Sequence, residues 1–250
     1  MTITTPSTGQ RIIAQAWFEF TSILRNGEQA LLNMVIPTLI LVVAANTSLM
    51  PLDLEGSDRI TLAFAAALTV GVMSAAFTTV AIATGFDRRA GVLRYLGTTA
   101  LRRSGLLAGK ALAVGLLLIV QLTLLTGIAF FLGWNGPYSG LGGSVVPIVL
   151  ATGAFAAWAL FLAGTLRAEA TLALANLIWL GLVMTAGVML IDLDSSPAVQ
   201  SIAQYLPSGA LAAAVKSAMT SGALSGNSIL VLAVWLIAGV AATTRWFKWD

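Results

Sequence analysis

Long apolar runs free of charge alternate along this chain with short polar breaks, and the breaks divide it into elements. No charge falls in the 27 residues between Arg59 and Asp87, nor within 111–166, 170–191 or 217–244. About 20 apolar residues cross a bilayer core. A backbone inside lipid must satisfy its own hydrogen bonds, as helices or as a closed barrel. The runs lack period-two alternation, so helices are predicted. Six spans result, at about 29–50, 60–85, 106–133, 144–166, 170–191 and 224–244, with Pro37 a candidate kink in the first.

Ahead of the first span the period changes. Over 11–25, Ile12, Ile13, Ala16, Trp17, Phe20, Ile23 and Leu24 form one stripe, with Arg11, Gln15, Glu19, Ser22 and Arg25 opposite. An aromatic-rich face backed by a charged face predicts a helix lying in the membrane interface, with Trp17 and Phe20 toward lipid and Arg25 toward water. Residues 1–10 read as a flexible polar segment, and no cleaved signal peptide is expected. Between the fifth and sixth spans, 207–220 reads as a helix opened by Pro207.

Composition narrows the chemistry. The 250 residues are 58% hydrophobic and 9% charged, with a mean hydropathy of +0.92. Soluble domains carry about 25% charged residues, so the fold class is an all-α integral membrane protein, with 11–250 forming one transmembrane domain. Cysteine and histidine are both absent. That excludes disulfides, thiol nucleophiles, Ser-His-Asp chemistry and histidine metal sites; no catalytic residue and no metal site is expected.

Charge then orients the spans. Six crossings put both termini on one side, and that side carries 11 of the 13 basic residues, leaving only Arg59 and Lys216 opposite. Acidic residues split five and five. The positive-inside rule therefore predicts cytoplasmic termini. Six of the 11 lie between Arg88 and Lys110. This predicted cytoplasmic loop, 86–105, runs from a basic cluster (Arg88, Arg89) through Gly91 to a short apolar helix with Val92, Leu93, Tyr95 and Leu96. A Gly97-Thr98-Thr99 break and a second basic pair, Arg102 and Arg103, follow. An orientation signal needs the charges; it does not need a compact amphipathic turn between two breaks.

In this loop the chain resembles the permease subunits of ABC type-2 exporters, the family that includes daunorubicin-type drug-export permeases. Their loop between the second and third spans has a similar order of basic residue, glycine, leucines, hydroxyl residue and a closing Gly-Lys. Arg88, Gly91, Leu93, Leu96, Thr99, Leu101, Arg103, Gly109 and Lys110 stand at matching places. Arg89, Val92 and Ala100 depart from the family's acidic residue, threonine and proline. The resemblance extends over the whole chain, including an external helical element before the last span.

It implies that the loop is a coupling helix docking in a groove of a separate ATP-binding cassette subunit. Arg88, Arg89, Gly91, Val92, Leu93, Arg94, Leu96, Thr99 and Arg103 would be the coupling residues. ATP and magnesium would then be bound by that partner, with no cofactor in this chain. A second permease, identical or related, and membrane lipids complete the expected partners; nucleic acid is not among them. The implied setting is the cytoplasmic (inner) membrane of a prokaryote. The implied activity is export of a hydrophobic or amphipathic drug- or lipid-like cargo, since small and aliphatic residues fill most spans.

Rival readings are weaker. Gly105-Leu-Leu-Ala-Gly109-Lys110-Ala111 imitates a phosphate loop but has three residues between its glycines and no hydroxyl after the lysine. Gly105 and Gly109 instead form a pair that permits close helix packing. An ion-coupled transporter usually places ionisable groups inside the membrane; the predicted spans offer only Asn33, Asn46, Gln121 and Asn176, amides suited to bonding neighbouring helices. An enzyme would need a pair such as Asp192 and Asp194, which do not share a helix face, or Ser208 and Lys216, two turns apart. A non-transporting structural membrane protein is the remaining alternative.

Overall fold

The computed structural model describes residues 7–47, 56–97, 103–191 and 196–247, and every regular element among them is helical. Helix α1 (Thr8–Arg25) opens on a capping box: the Gln10 N–H donates to Ser7 Oγ at 3.3 Å, and the Ser7 N–H donates to Gln10 Oε1 at 2.8 Å. Helix α2 (Gly27–Asn46) carries Pro37 inside it. Helix α3 (Gly56–Met73), a π-helical segment (Ser74–Thr79) and α4 (Val80–Arg89) follow without a break and make one rod of 34 residues. After the short α5 (Val92–Gly97) come α6 (Arg103–Phe131), α7 (Tyr138–Thr165), α8 (Ala168–Ile191), α9 (Pro197–Ala203), α10 (Pro207–Ser221) and α11 (Gly226–Trp246).

Among the described residues, five helices are long and apolar enough to cross a membrane: the rod, α6, α7, α8 and α11. Six spans were expected. The first of them corresponds to α2, in which Asn33–Asn46 is an apolar helical stretch.

The rod is the centre of the bundle, buried on every side from Thr61 to Met73, with α2, α6, α7, α8 and α10 packed around it. Ala63, Ala65, Ala66, Ala67, Gly71, Ala75 and Ala76 keep it thin. In lipid there is no hydrophobic drive between helices, so small residues that let backbones approach decide who packs with whom. Helices α7 and α11 are joined by indole and hydroxyl bonds: Trp158 Nε1 donates to the Trp235 carbonyl at 3.1 Å, and Thr243 Oγ1 to the Ala157 carbonyl at 2.6 Å.

Two elements differ from the sequence reading. The rod stays helical through Arg89, so Phe86–Arg89 ends a helix instead of beginning a loop, and α6 starts at Arg103. Charge marks where side chains meet water, but it does not stop backbone hydrogen bonding. Helix α10, between the fifth and sixth predicted spans, is packed among α3, α7, α8 and α11, with Pro207–Ala212 all buried. Its alanines and Gly209 let these neighbours approach closely.

Candidate functional site

Helix α5 projects from the bundle end where α4 stops and α6 starts. The stop is built from backbone. The Ala90 N–H closes on the Phe86 carbonyl at 2.9 Å, and the Gly91 N–H donates to the Arg88 carbonyl at 3.1 Å. Gly91 then turns with φ +75°, and the Tyr95 N–H returns to its carbonyl at 3.0 Å, starting α5. Nothing crowds the place of a Gly91 Cβ; glycine is needed there for its left-handed backbone, which side chains disfavour.

The two sides of α5 are unequal. Leu93 is 2% exposed, whereas Val92 is 37% and Tyr95 73% exposed. Leu93 therefore seats the helix on its own chain, and Val92 and Tyr95 point outward. Arg94 and Leu96 lie on α5, Arg103 opens α6, and Thr99 falls outside the described residues.

Two of the loop's arginines engage their own chain. Arg88 Nη1 donates to the Ala163 carbonyl at 2.9 Å, near the C-terminus of α7, where unpaired carbonyls attract a cation. Arg89 pairs with Glu169 in the first turn of α8; both side chains are mostly exposed, so the pair contributes at most about 1 kcal/mol. With Arg167 these residues line a small concavity between the end of α4 and the α7–α8 turn.

Lys110, about two turns into α6, is 6% exposed and pairs with two carboxylates. Its Nζ lies 2.8 Å from Glu19 Oε1 on α1 and 2.7 Å from Asp87 Oδ2 on α4, whose side chains are 14% and 32% exposed. Gln15 Nε2 donates to the same Glu19 oxygen at 2.9 Å. Helix α1 lies close because Gly109 has no side chain: a Cβ there would sit 2.7 Å from Gln15 Cγ.

This arrangement rotates α1 relative to its sequence reading. Gln15, Ala16, Phe20 and Ile23 are buried, while Ile13, Trp17, Phe18 and Leu24 are exposed. Trp17 and Arg25 are exposed, and Phe20 is buried in the core. The buried lysine draws Glu19 and Gln15 inward, since an uncompensated charge there would cost several kcal/mol.

Between α1, α2, the rod and α8 runs a cleft of about 610 Å³. Glu19, Asp87 and Phe86 line the end near α5; Asn33, Ser74, Thr79 and Trp179 line it deeper in. The π-helical segment supplies the inner polar groups. Thr79 Oγ1 reaches back five residues to the Ser74 carbonyl at 3.1 Å, and Asn33 Nδ2 donates to Thr79 Oγ1 at 2.9 Å. Gln121 Nε2 donates to the Asn33 carbonyl at 2.6 Å, and Trp179 Nε1 to Ser74 Oγ at 3.1 Å. A π segment widens the turn and frees groups that a regular helix would bond internally. A second, apolar groove of about 890 Å³ separates α6 from α7.

Residues 10–220 match the profile of the family described as ABC-2 type transporter. The chain belongs to this family. No curated protein matches it. As an ABC-2 permease it is a multi-pass membrane transport subunit of a family that works with ATP-binding cassette subunits. Its helix α11 lies beyond the matched residues.

The rival chemistries find other uses in this permease. Ser208 shares a 2.6 Å hydrogen bond with Thr185, while Lys216 donates to the Met189 carbonyl at 3.4 Å, so the two are not a dyad. Asp192 and Asp194 lie outside the described residues. Asn33 and Gln121 bond across α2, the rod and α6, the structural use expected of isolated amides. The sequence reading missed Glu19 as a partner of Lys110. Its only local signal was Gln15 and Glu19 at i,i+4 beside Gly109-Lys110 in the distant loop, a pairing that spacing alone cannot make.

Proposed function

We propose that this permease exports a hydrophobic or amphipathic cargo, drug- or lipid-like, across the cytoplasmic membrane of a prokaryote. It would be driven by a separate ATP-binding subunit docked on α5. The observation that carries the reading is the build of α5: anchored inward by Leu93, aimed by Gly91, and presenting Val92 and Tyr95 outward. A short helix packed on the end of the rod can transmit a push that a bare loop would absorb. ATP and magnesium act in the partner, and both termini lie in the cytoplasm with the basic residues, in keeping with the positive-inside rule.

A second permease supplies the other half of the pathway. The outward faces of α2 (Val35, Leu39, Val43) and α8 (Leu177, Leu180, Met184) flank the cleft and are apolar and exposed. The cleft's volume falls within the usual range for ligand sites, about 300–1,000 Å³. Its amides and hydroxyls offer hydrogen bonds to the polar end of an amphipathic cargo.

The test is co-purification of the full chain with candidate ATP-binding subunits, repeated with Val92→Asp and Tyr95→Ala together. Two lost anchors should weaken association at least about tenfold, from hot-spot magnitudes near 1–2 kcal/mol each. A native chain that retains no ATPase, or a double variant that binds and stimulates one normally, would sink the reading. Leu93 is the wrong residue for this purpose, because replacing it unseats α5 itself.

A further inference from the structure

We propose that Lys110 is a positioning residue that carries movement of α5 to α1 and to the mouth of the cleft. This rests on the coupling reading of α5. Asp87 and Lys110 stand on either side of α5 in sequence, the first at the end of the rod and the second near the start of α6. Their 2.7 Å ion pair closes the base of the segment between them. Glu19, 2.8 Å from the same Nζ, hooks α1 onto that base. Glu19 and Asp87 both line the cleft at its α5 end, with Ser22 and Phe86 beside them. One buried ammonium thus joins the segment that would receive the push, the interfacial helix, and the entrance through which cargo would pass.

Beside this pair α1 packs its buried Ala16, Phe20 and Ile23 against the bundle, chiefly along α6. Gln15 spends its amide on Glu19, and the Gly109 contact is van der Waals packing that resists approach but not withdrawal. A hydrogen-bonded ion pair resists both. In a poorly solvated site such a pair is short and directional, so α1 must follow when α4 and α6 shift. Among the described residues Lys110 is the cation that pairs with both carboxylates; Glu19→Gln frees α1 while leaving the base closed, whereas Lys110→Met frees both.

The native chain has no cysteine, so spin labels can be placed cleanly on the full chain in complex with its ATP-binding subunit. Ala90→Cys, exposed at the junction of α4 and α5 and outside the docking anchors, reports that segment; Ile13→Cys reports the outer face of α1, and each is paired with Val199→Cys on α9. Trapping the ATPase with ADP and vanadate should shift both distances in the otherwise native chain. With Glu19→Gln or Lys110→Met the Ala90 distance should still shift while the Ile13 distance stays put. Lys110→Arg, which keeps one base between the two acids, should retain the Ile13 shift that Lys110→Met loses; a contact that only fills space would not follow charge in this way. ATPase stimulation by the permease should fall at least about fivefold in the broken variants and stay near native in Lys110→Arg, by the usual size of coupling between sites. An Ile13 shift that survives Lys110→Met in a folded, monodisperse complex overturns the proposal, as does a folded Lys110→Arg variant that lacks the shift. An Ala90 distance that never responds to trapping in the native chain instead overturns the coupling reading beneath it.

Discussion

The rod Gly56–Arg89 and helix α8 have nearly equal mean hydropathy, 2.0 and 2.1, yet 89% of the rod's apolar stretch is buried inside the protein against 17% for α8. Side-chain size separates them. The rod is built largely of alanine, glycine and threonine, whereas α8 turns Leu172, Leu174, Leu177 and Leu180 outward and keeps Thr171, Ala175 and Ala186 inward. Lipid tails solvate leucine as well as another helix does, so apolarity alone cannot sort inside from outside. Close approach can. The lesson is that hydropathy marks a span, and small residues mark which span the others surround.

The largest effect that could break this contrast comes from truncation. Phe64 is fully buried against Trp134, ring centroids 5.5 Å apart. Phe64→Ala should lower stability by about 3–5 kcal/mol, while Leu177→Ala on α8 should change it by less than about 0.5 kcal/mol. Reversible unfolding of the purified permease in mixed micelles measures both, and equal costs would mean that α8 is as enclosed as the rod.

Insertion gives the next effect. A Cβ on Gly71 would lie 2.7 Å from Gln121 Nε2, whereas the space at Gly181 is open. Gly71→Val should therefore cost about 1–3 kcal/mol, and Gly181→Val should leave the melting temperature nearly unchanged in the isolated chain. If Gly181→Val instead reduces a cross-linked permease pair, α8 meets a second copy there. That outcome would sharpen the contrast, because the exposed face would then be an interface.

The smallest effect probes the contact that ties the two regions together. Trp179 on α8 donates to Ser74 in the π-helical segment at 3.1 Å. A double-mutant cycle of Trp179→Phe and Ser74→Ala should give a coupling of about 0.6 kcal/mol, the average for hydrogen bonds between membrane helices. A coupling indistinguishable from zero would mean that this bond does not hold α8 to the rod.

Much of the fold was legible before any coordinates. Charge-free runs located the long helices, and Gly91 announced the break that sets off α5. The interior of the candidate site was less legible. Glu19 looked like part of a wetted face and Lys110 like one more loop cation, because each is judged locally by its own period or its own charge. Phe20 was placed toward lipid for the same reason: α1 has apolar residues around more than half its circumference, and amphipathicity cannot say which of two apolar arcs faces protein. The π-helical segment left no mark in Ser74–Thr79, whose composition suits a regular helix equally well.

By itself the sequence determined that the chain is helical and membrane-embedded, with six of its 13 basic residues between Arg88 and Lys110, around α5. Those properties follow from transfer free energies and backbone hydrogen bonding, which act residue by residue. Only the tertiary structure decided that the second long apolar segment is the centre, that α10 is packed inside, and that α1 turns its glutamate toward Lys110. These depend on which surfaces approach closely enough to pair a buried charge or interlock small side chains. Inside a bilayer, where every span is equally apolar, such non-local complementarity is what remains to choose neighbours.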